Sequence, residues 1–275
     1  MSITVQATNS WLRINSPNPD ARLRLFCFPY AGGAASVYRT WHQYLPANIE
    51  VCAVQLPGRE NRMLERPFTD LVELVQALLP RLLPYLDKPF AIFGHSMGAL
   101  IAYELAQQLS RHPFDSAQGR PSTPLTLRSG GRVPTYLFVS GRRAPFLPEP
   151  ESPLHTLPTD EIFLAELQRR YNNIPALIFE DVELRALFAP LLRADLTLVE
   201  TFQSPTPTPL PCPIVALGGD SDPFVSLAEL QSWQTLTQAA FALHRFPGGH
   251  LYFNEREQPL LATITGYLAS GDRDL

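Results

Sequence analysis

Six short apolar runs, residues 23–28, 49–55, 90–93, 135–139, 213–217 and 241–246, recur along the chain with longer amphipathic stretches between them. Val, Ile and Phe dominate these runs without clean alternation, as strands buried on both faces require. A helical period fits the intervening stretches at 37–45, 70–86 despite Pro80 and Pro84, 97–110, 225–237 and 257–270. Strands alternating with helices make a mostly parallel sheet covered on both faces, so the fold class is α/β.

Composition narrows what such a chain does. With 275 residues its length lies between one large domain and two ordinary ones, and 45% hydrophobic residues supply a core. Charged residues are 17% of the chain, against about 25% in an average globular protein, which excludes a disordered chain, a collagen or a coiled coil. The longest uncharged stretch, 201–219, carries five prolines and is no membrane helix. The first ten residues have neither a basic nor an apolar export segment, so the expected location is the cytoplasm. A net charge of −4 without a Lys/Arg run leaves no footprint for nucleic acid or an anionic membrane. Cys27, Cys52 and Cys212 lie far apart in the sequence and are expected to be buried and reduced, not disulfide-bonded or metal-bound.

Two segments interrupt the rhythm. Residues 111–132 are rich in turn formers and have no periodic apolar face, as expected of a surface loop within the core. Residues 142–202 carry apolar side chains at helical spacing, among them Phe163, Leu167, Leu184, Phe188 and Leu191, and Thr159 supplies an N-cap. The expected organisation is a core of residues 1–141 and 203–275 with 142–202 as a helical lid. The Pro-rich segment 204–213 returns the chain stiffly to the sheet.

Gly94-His95-Ser96-Met97-Gly98 stands between an apolar run and a helix. A Gly-x-Ser-x-Gly in that context is a nucleophile elbow, a strained turn whose glycines avoid collision with neighbouring backbone and whose serine is presented at a helix N-terminus. A serine needs a base to take its proton. His250, in a Gly-rich loop after the last apolar run, is the candidate, whereas His95 is expected to pack beneath the elbow and the other histidines have no flanking signature. A carboxylate must hold the imidazole, and the segment after residue 217 offers Asp222 as first choice and Asp220 as the alternative. Oxyanion donors are expected from the backbone N–H of Met97 and, from the loop Phe28-Pro29-Tyr30-Ala31-Gly32-Gly33, that of Ala31; a plain strand-to-helix turn also fits that loop. Neither Gly-x-x-x-x-Gly-Lys-[Ser/Thr] nor Gly-x-Gly-x-x-Gly occurs.

With these residues in place the chain resembles the type II thioesterases of nonribosomal peptide and polyketide synthesis, which share the α/β-hydrolase fold. The motifs are Phe28-Pro-Tyr-Ala-Gly-Gly33, Gln55-Leu-Pro-Gly-Arg59, Gly94-His-Ser-Met-Gly98, Phe138-Val-Ser-Gly-Arg-Arg-Ala-Pro145 and Phe246-Pro-Gly-Gly-His250. They span most of residues 20–270, and the departure is the length of 111–132. The resemblance implies a serine hydrolase with no cofactor of its own that clears wrong or stalled acyl groups from the phosphopantetheine arm of carrier proteins. The lid would shape an acyl pocket, and Arg142 and Arg143 or Arg59 and Arg62 would meet an acidic carrier surface. Three further readings stay open: a thioesterase for acyl-CoA or a fatty acyl carrier, a small-ester hydrolase, and a non-catalytic module that binds a synthase.

Overall fold

The structure is a computed structural model that describes residues 10–111, 133–149, 151–172, 174–204, 208–254 and 257–270. In chain order its strands are β1 (Leu12–Arg13), β2 (Leu23–Phe28), β3 (Ile49–Val54), β4 (Phe90–His95), β5 (Leu137–Ser140), β6 (Ile214–Gly219) and β7 (Phe241–Phe246). The α-helices are α1 (Leu71–Leu82), α2 (Met97–Arg111), α3 (Asp160–Tyr171), α4 (Ala176–Glu180), α5 (Val182–Thr201), α6 (Leu227–Gln231) and α7 (Glu257–Ser270).

The strands form one sheet in the order β1-β3-β2-β4-β5-β6-β7, parallel except for β1. Every residue of β3 and β4 is buried, which is why these segments read as largely apolar runs, the exceptions being Glu50, paired with Arg24, and His95. β7, on the open edge, is mostly half-exposed, so the expectation of burial on both faces fails there. On one side of the sheet Phe26, Ile92 and Val139 pack against α1 and α2, whose Leu74, Leu78, Ile101 and Leu105 face inward. On the other side Leu25, Phe93 and Phe138 meet Trp41, Leu261 and Ile264. All three cysteines are buried free thiols, and burial pushes the Cys212 thiol up to about 12.

Local chemistry sets the helix ends. The Asp70 carboxylate accepts the Glu73 N–H at 2.9 Å, and Ser226 with Glu229 forms a capping box at α6. Pro80 falls in the last turn of α1, and Pro84 starts the 3-10 turn that follows it. Two expected helices are weaker than their period suggests. Residues 37–45 hold only the 3-10 turns Ala35–Tyr38 and Trp41–Gln43, and 225–237 splits into α6 and the 3-10 turn Ser232–Leu236.

Between β5 and β6 the chain builds α3, α4 and α5, which pack on one another through Leu154, Phe163, Leu164 and Leu196. Thr159 Oγ1 caps α3 by accepting the Ile162 N–H at 3.3 Å. The loop expected at 111–132 lies, from residue 112 onward, outside the described residues.

Candidate active site

β4 runs into α2 through Ser96, which has φ +53° and stands in the left-handed region that non-glycine residues seldom occupy. The flanking glycines permit this turn. A Cβ on Gly94 would lie 2.1 Å from the Gly98 carbonyl oxygen, and one on Gly98 would lie 2.1 Å from that of Phe28. The Ser96 N–H donates to the Ser140 carbonyl at 2.8 Å and ties the turn to β5.

His250 follows the end of β7, where Gly248 has φ +131°. Its Nδ1 is 2.9 Å from Oδ2 of Asp222, whose side chain is 1% exposed and whose Oδ1 accepts the Phe224 N–H at 2.9 Å. Asp220 does not reach the imidazole. Its carboxylate accepts the Gly248 N–H and the Ser221 hydroxyl, and these bonds hold it below the usual carboxylate range. Of the two aspartates, then, Asp222 orients the imidazole and Asp220 braces the turn beneath it.

Ser96 and His250 line the same two chambers, with no hydrogen bond joining them among the described residues. One chamber, of about 360 Å³, is mostly apolar and walled by Leu167, Ile174, Ile178, Phe188, Leu192 and Leu196, with Ala31 also in its lining. The other, of about 320 Å³, shares Arg142, Tyr171, Leu196 and Val199 with the first and is the more polar of the two, with Arg170, Glu149, Glu151 and Glu200 in its lining. A group held at Ser96 therefore borders both an apolar recess and a space that carries charged side chains.

The loop after β2 is anchored at several main-chain atoms. The Gly33 N–H donates to the Tyr30 carbonyl at 2.8 Å, the Gly32 N–H to Oδ2 of Asp195 at 2.7 Å and the Ala35 N–H to Oε1 of Gln55 at 2.8 Å. Among the described residues the Ala31 N–H has no acceptor, and Met97, at the first position of α2, has none within its helix.

His95 packs under the elbow as expected. It is fully buried, its Nδ1 is 2.9 Å from the Ser140 hydroxyl, and that hydroxyl is 2.7 Å from the Tyr252 phenol. Burial, and then the nearby His250, hold its pKa well below the ordinary value, so the ring stays neutral.

The arginines offered above to an acidic surface lie elsewhere. Arg59 forms a buried bidentate pair with Asp195, and Arg62 is buried over the Trp11 ring with Glu65 as partner. Arg143 is buried against Phe224, Pro148 and Glu229, and Arg142 borders the polar chamber beside Glu149. Sequence reasoning also passes over Asp195, Ser140, Tyr252 and Phe224, whose ring meets that of His250 edge-on at 5.3 Å. Only Asp195 left a trace, a carboxylate within the otherwise apolar stripe of Leu191, Ala194 and Leu198.

A parallel sheet with an elbow serine at the carboxyl end of a central strand, and an Asp-bound histidine facing it, defines an α/β-hydrolase. Comparison with known proteins agrees. The thioesterase domain model matches residues 23–118 and 122–267, and the chain belongs to the thioesterase family and is a thioester hydrolase. It is 38% identical over 258 residues to the gramicidin S biosynthesis protein GrsT of Aneurinibacillus migulanus, covering 94% of this chain and 93% of that one. It is 40% identical over 273 residues to LgrE of Brevibacillus parabrevis, covering 98% and 97% of the two chains. LgrE is named a linear gramicidin dehydrogenase, yet the present chain has no Gly-x-Gly-x-x-Gly dinucleotide loop. Among solved structures, the type II thioesterase BorB from the borrelidin biosynthetic cluster superposes with a TM-score of 0.78 at 35% identity, covering 94% of this chain and 98% of BorB.

Proposed function

We propose that this protein is a type II thioesterase that hydrolyses aberrant or stalled acyl groups from the phosphopantetheine arm of carrier proteins in nonribosomal peptide or polyketide synthesis. The observation that carries this reading is the meeting of an apolar and a polar chamber at Ser96 and the Asp222-bound His250. The apolar chamber suits an acyl chain, and the polar one suits the amide-rich arm that delivers it.

In this reading Ser96 Oγ attacks the thioester carbonyl as Nε2 of His250 takes its proton. Asp222, on Nδ1, fixes the tautomer and stabilises the imidazolium. The Met97 and Ala31 N–H groups hold the oxyanion. The imidazolium then protonates the leaving sulfur, which departs readily because a thiol has a pKa near 8.5. Water, activated by the same imidazole, attacks the acyl-serine and releases the acid. The protein supplies every group this sequence needs and takes no cofactor of its own.

Residues 142–202 act as the lid over the acyl chamber, since this segment provides most of its wall. No described helix is long and apolar enough to cross a membrane, and we place the enzyme in the cytoplasm with the carrier proteins it serves. The gramicidin S biosynthesis protein, the type II thioesterase from the borrelidin biosynthetic cluster and ClbQ from the colibactin NRPS/PKS pathway, all similar to this chain, support the choice of partner. The test is a comparison of hydrolysis rates on an acyl-loaded carrier protein, the same acyl-CoA and a p-nitrophenyl ester. The carrier-bound substrate should be cleaved with the highest kcat/KM. Equal or faster cleavage of the free CoA thioester or of the ester would overturn the proofreading role.

A further inference from the structure

Asp195 lies on α5, the helix whose Leu192, Leu196 and Val199 wall the apolar chamber, and it is 2% exposed. One carboxylate oxygen, Oδ2, accepts both the Gly32 N–H at 2.7 Å and Nη1 of Arg59 at 3.0 Å, and the other, Oδ1, accepts Nη2 of Arg59 at 2.7 Å. Arg59 Nη1 also donates to the Gly33 carbonyl at 2.9 Å, and Gln55 donates to the Arg59 carbonyl at 2.9 Å while receiving the Ala35 N–H. The Gly32 peptide is thus held from outside the loop by a side chain of the covering helix. Its neighbour Ala31 lines the chamber, and its N–H has no acceptor among the described residues.

Stability alone is a weak reason for this arrangement. Replacing a buried ion pair by apolar groups of similar volume is often neutral or stabilising, so an ion pair whose only task is to staple α5 to the core has no clear advantage. What an apolar pair does not supply is an acceptor for the Gly32 N–H, and a main-chain amide left buried without one turns its peptide elsewhere. The space is tight as well: Gly32 has φ +77°, and a Cβ there would lie 2.8 Å from Leu192 of the same helix.

We propose that Asp195 is a positioning residue: it fixes the Ala31–Gly32 peptide so that the Ala31 N–H meets the oxyanion, and so couples that donor to the helix that touches the acyl group. This inference rests on the hydrolase reading above. An acyl group that seats α5 correctly leaves the donor in place, whereas one that shifts α5 moves the donor with it. Selectivity is then expressed in kcat rather than in binding, because the donor acts only once negative charge has developed on the carbonyl oxygen.

The experiment measures kcat and KM for the hexanoyl thioester of N-acetylcysteamine with wild type, Ser96→Ala, Asp195→Asn and the double variant Arg59→Met/Asp195→Leu, alongside thermal unfolding of each. Asp195→Asn, which keeps an acceptor but loses the paired charge, should lower kcat roughly 3- to 10-fold, and the double variant, which has no acceptor, at least 50-fold, with KM within about threefold in both. The double variant should unfold within a few degrees of wild type. Wild-type kcat in a folded double variant, or a kcat that falls and recovers only in step with thermal stability, would overturn the positioning role. If the double variant does not fold, an unchanged kcat in Asp195→Asn overturns it. Wild-type hydrolysis that survives Ser96→Ala would instead sink the hydrolase reading itself, and this proposal with it.

Discussion

The rings of His95 and His250 lie 5.0 Å apart at a tilt of 54°, with His95 wholly buried beneath. Two imidazoles this close serve different ends. His250 has a carboxylate partner and faces both chambers, while His95 has a hydroxyl partner and an Nε2 with none among the described residues. A proton on His95 would be desolvated and would repel any charge forming on His250.

A pH dependence of stability follows. His95 is neutral in the fold and, because burial depresses its pKa, takes up no proton until well below the ordinary 6.5. The unfolded chain does bind that proton below about pH 6.5, so it holds more protons there than the native state does. The contribution of His95 is fully present above pH 6.5 and is lost as pH falls, with a slope of up to about 1.4 kcal/mol per pH unit. Urea unfolding at pH 5.5, 6.0, 6.5 and 7.5 should show this slope in wild type and a shallower one in His95→Gln. Parallel curves for the two proteins would mean that His95 does not titrate across unfolding.

The two aspartates near His250 should separate cleanly. Asp222→Asn leaves the shape intact but lets the imidazole adopt the wrong tautomer, and kcat on an acyl thioester should fall by about 10⁴. Asp220→Asn, in a carboxylate that holds only the turn at Gly248, should keep kcat within a few-fold. A free-thiol assay of thioester cleavage checks both, and a large loss in Asp220→Asn would reverse the assignment.

Much of this site is written in local sequence, and the exceptions share a physical cause. Ser96 and His250 announce themselves because the backbone around each needs glycine, and a glycine pattern is visible without a structure. The central strands show as apolar runs because both their faces are covered. Asp220 and Asp222 stand two positions apart in one turn, and only the direction of each side chain distinguishes them. Asp195 shows in the sequence only as a carboxylate in an apolar stripe, and its role does not, because its partners Arg59 and Gly32 are 136 and 163 residues away. The arginines of the Gln55–Arg59 and Gly141–Ala144 motifs look like surface charge in a sequence, yet Arg59 and Arg143 are 4% and 6% exposed. β1 has two residues, too few for any period to register.

Glycines in this chain should divide by what a methyl group would strike. Gly98→Ala drives a Cβ into the Phe28 backbone, and because backbone on both sides must move, the variant should unfold at least 8 °C below wild type or fail to accumulate as soluble protein. Gly266, exposed within α7, has nothing within 4 Å of an added Cβ, so Gly266→Ala should stabilise by about 0.5–1 kcal/mol through helix propensity. Differential scanning fluorimetry distinguishes the two, and a Gly98→Ala protein with wild-type Tm would contradict the elbow geometry.

The chamber wall should set which acyl chain is cleaved. Phe188 on α5 and Ile174 before α4 face the same 360 Å³ recess. Phe188→Ala lengthens the recess, and each methylene it newly accommodates is worth about 1 kcal/mol, so the optimum on a C2 to C12 acyl thioester series should move toward longer chains. Ile174→Phe fills the recess and should move it toward shorter ones, with roughly 10- to 100-fold loss of kcat/KM on the longest substrates and little change on acetyl. Because acetyl extends only one methyl group past the carbonyl, its rate should depend least on either side chain and reports whether the site itself is intact. If both variants shift the optimum the same way, or neither shifts it while acetyl cleavage is preserved, the acyl chain does not lie in this recess, and the polar chamber beside Arg142 and Glu200 becomes its location instead.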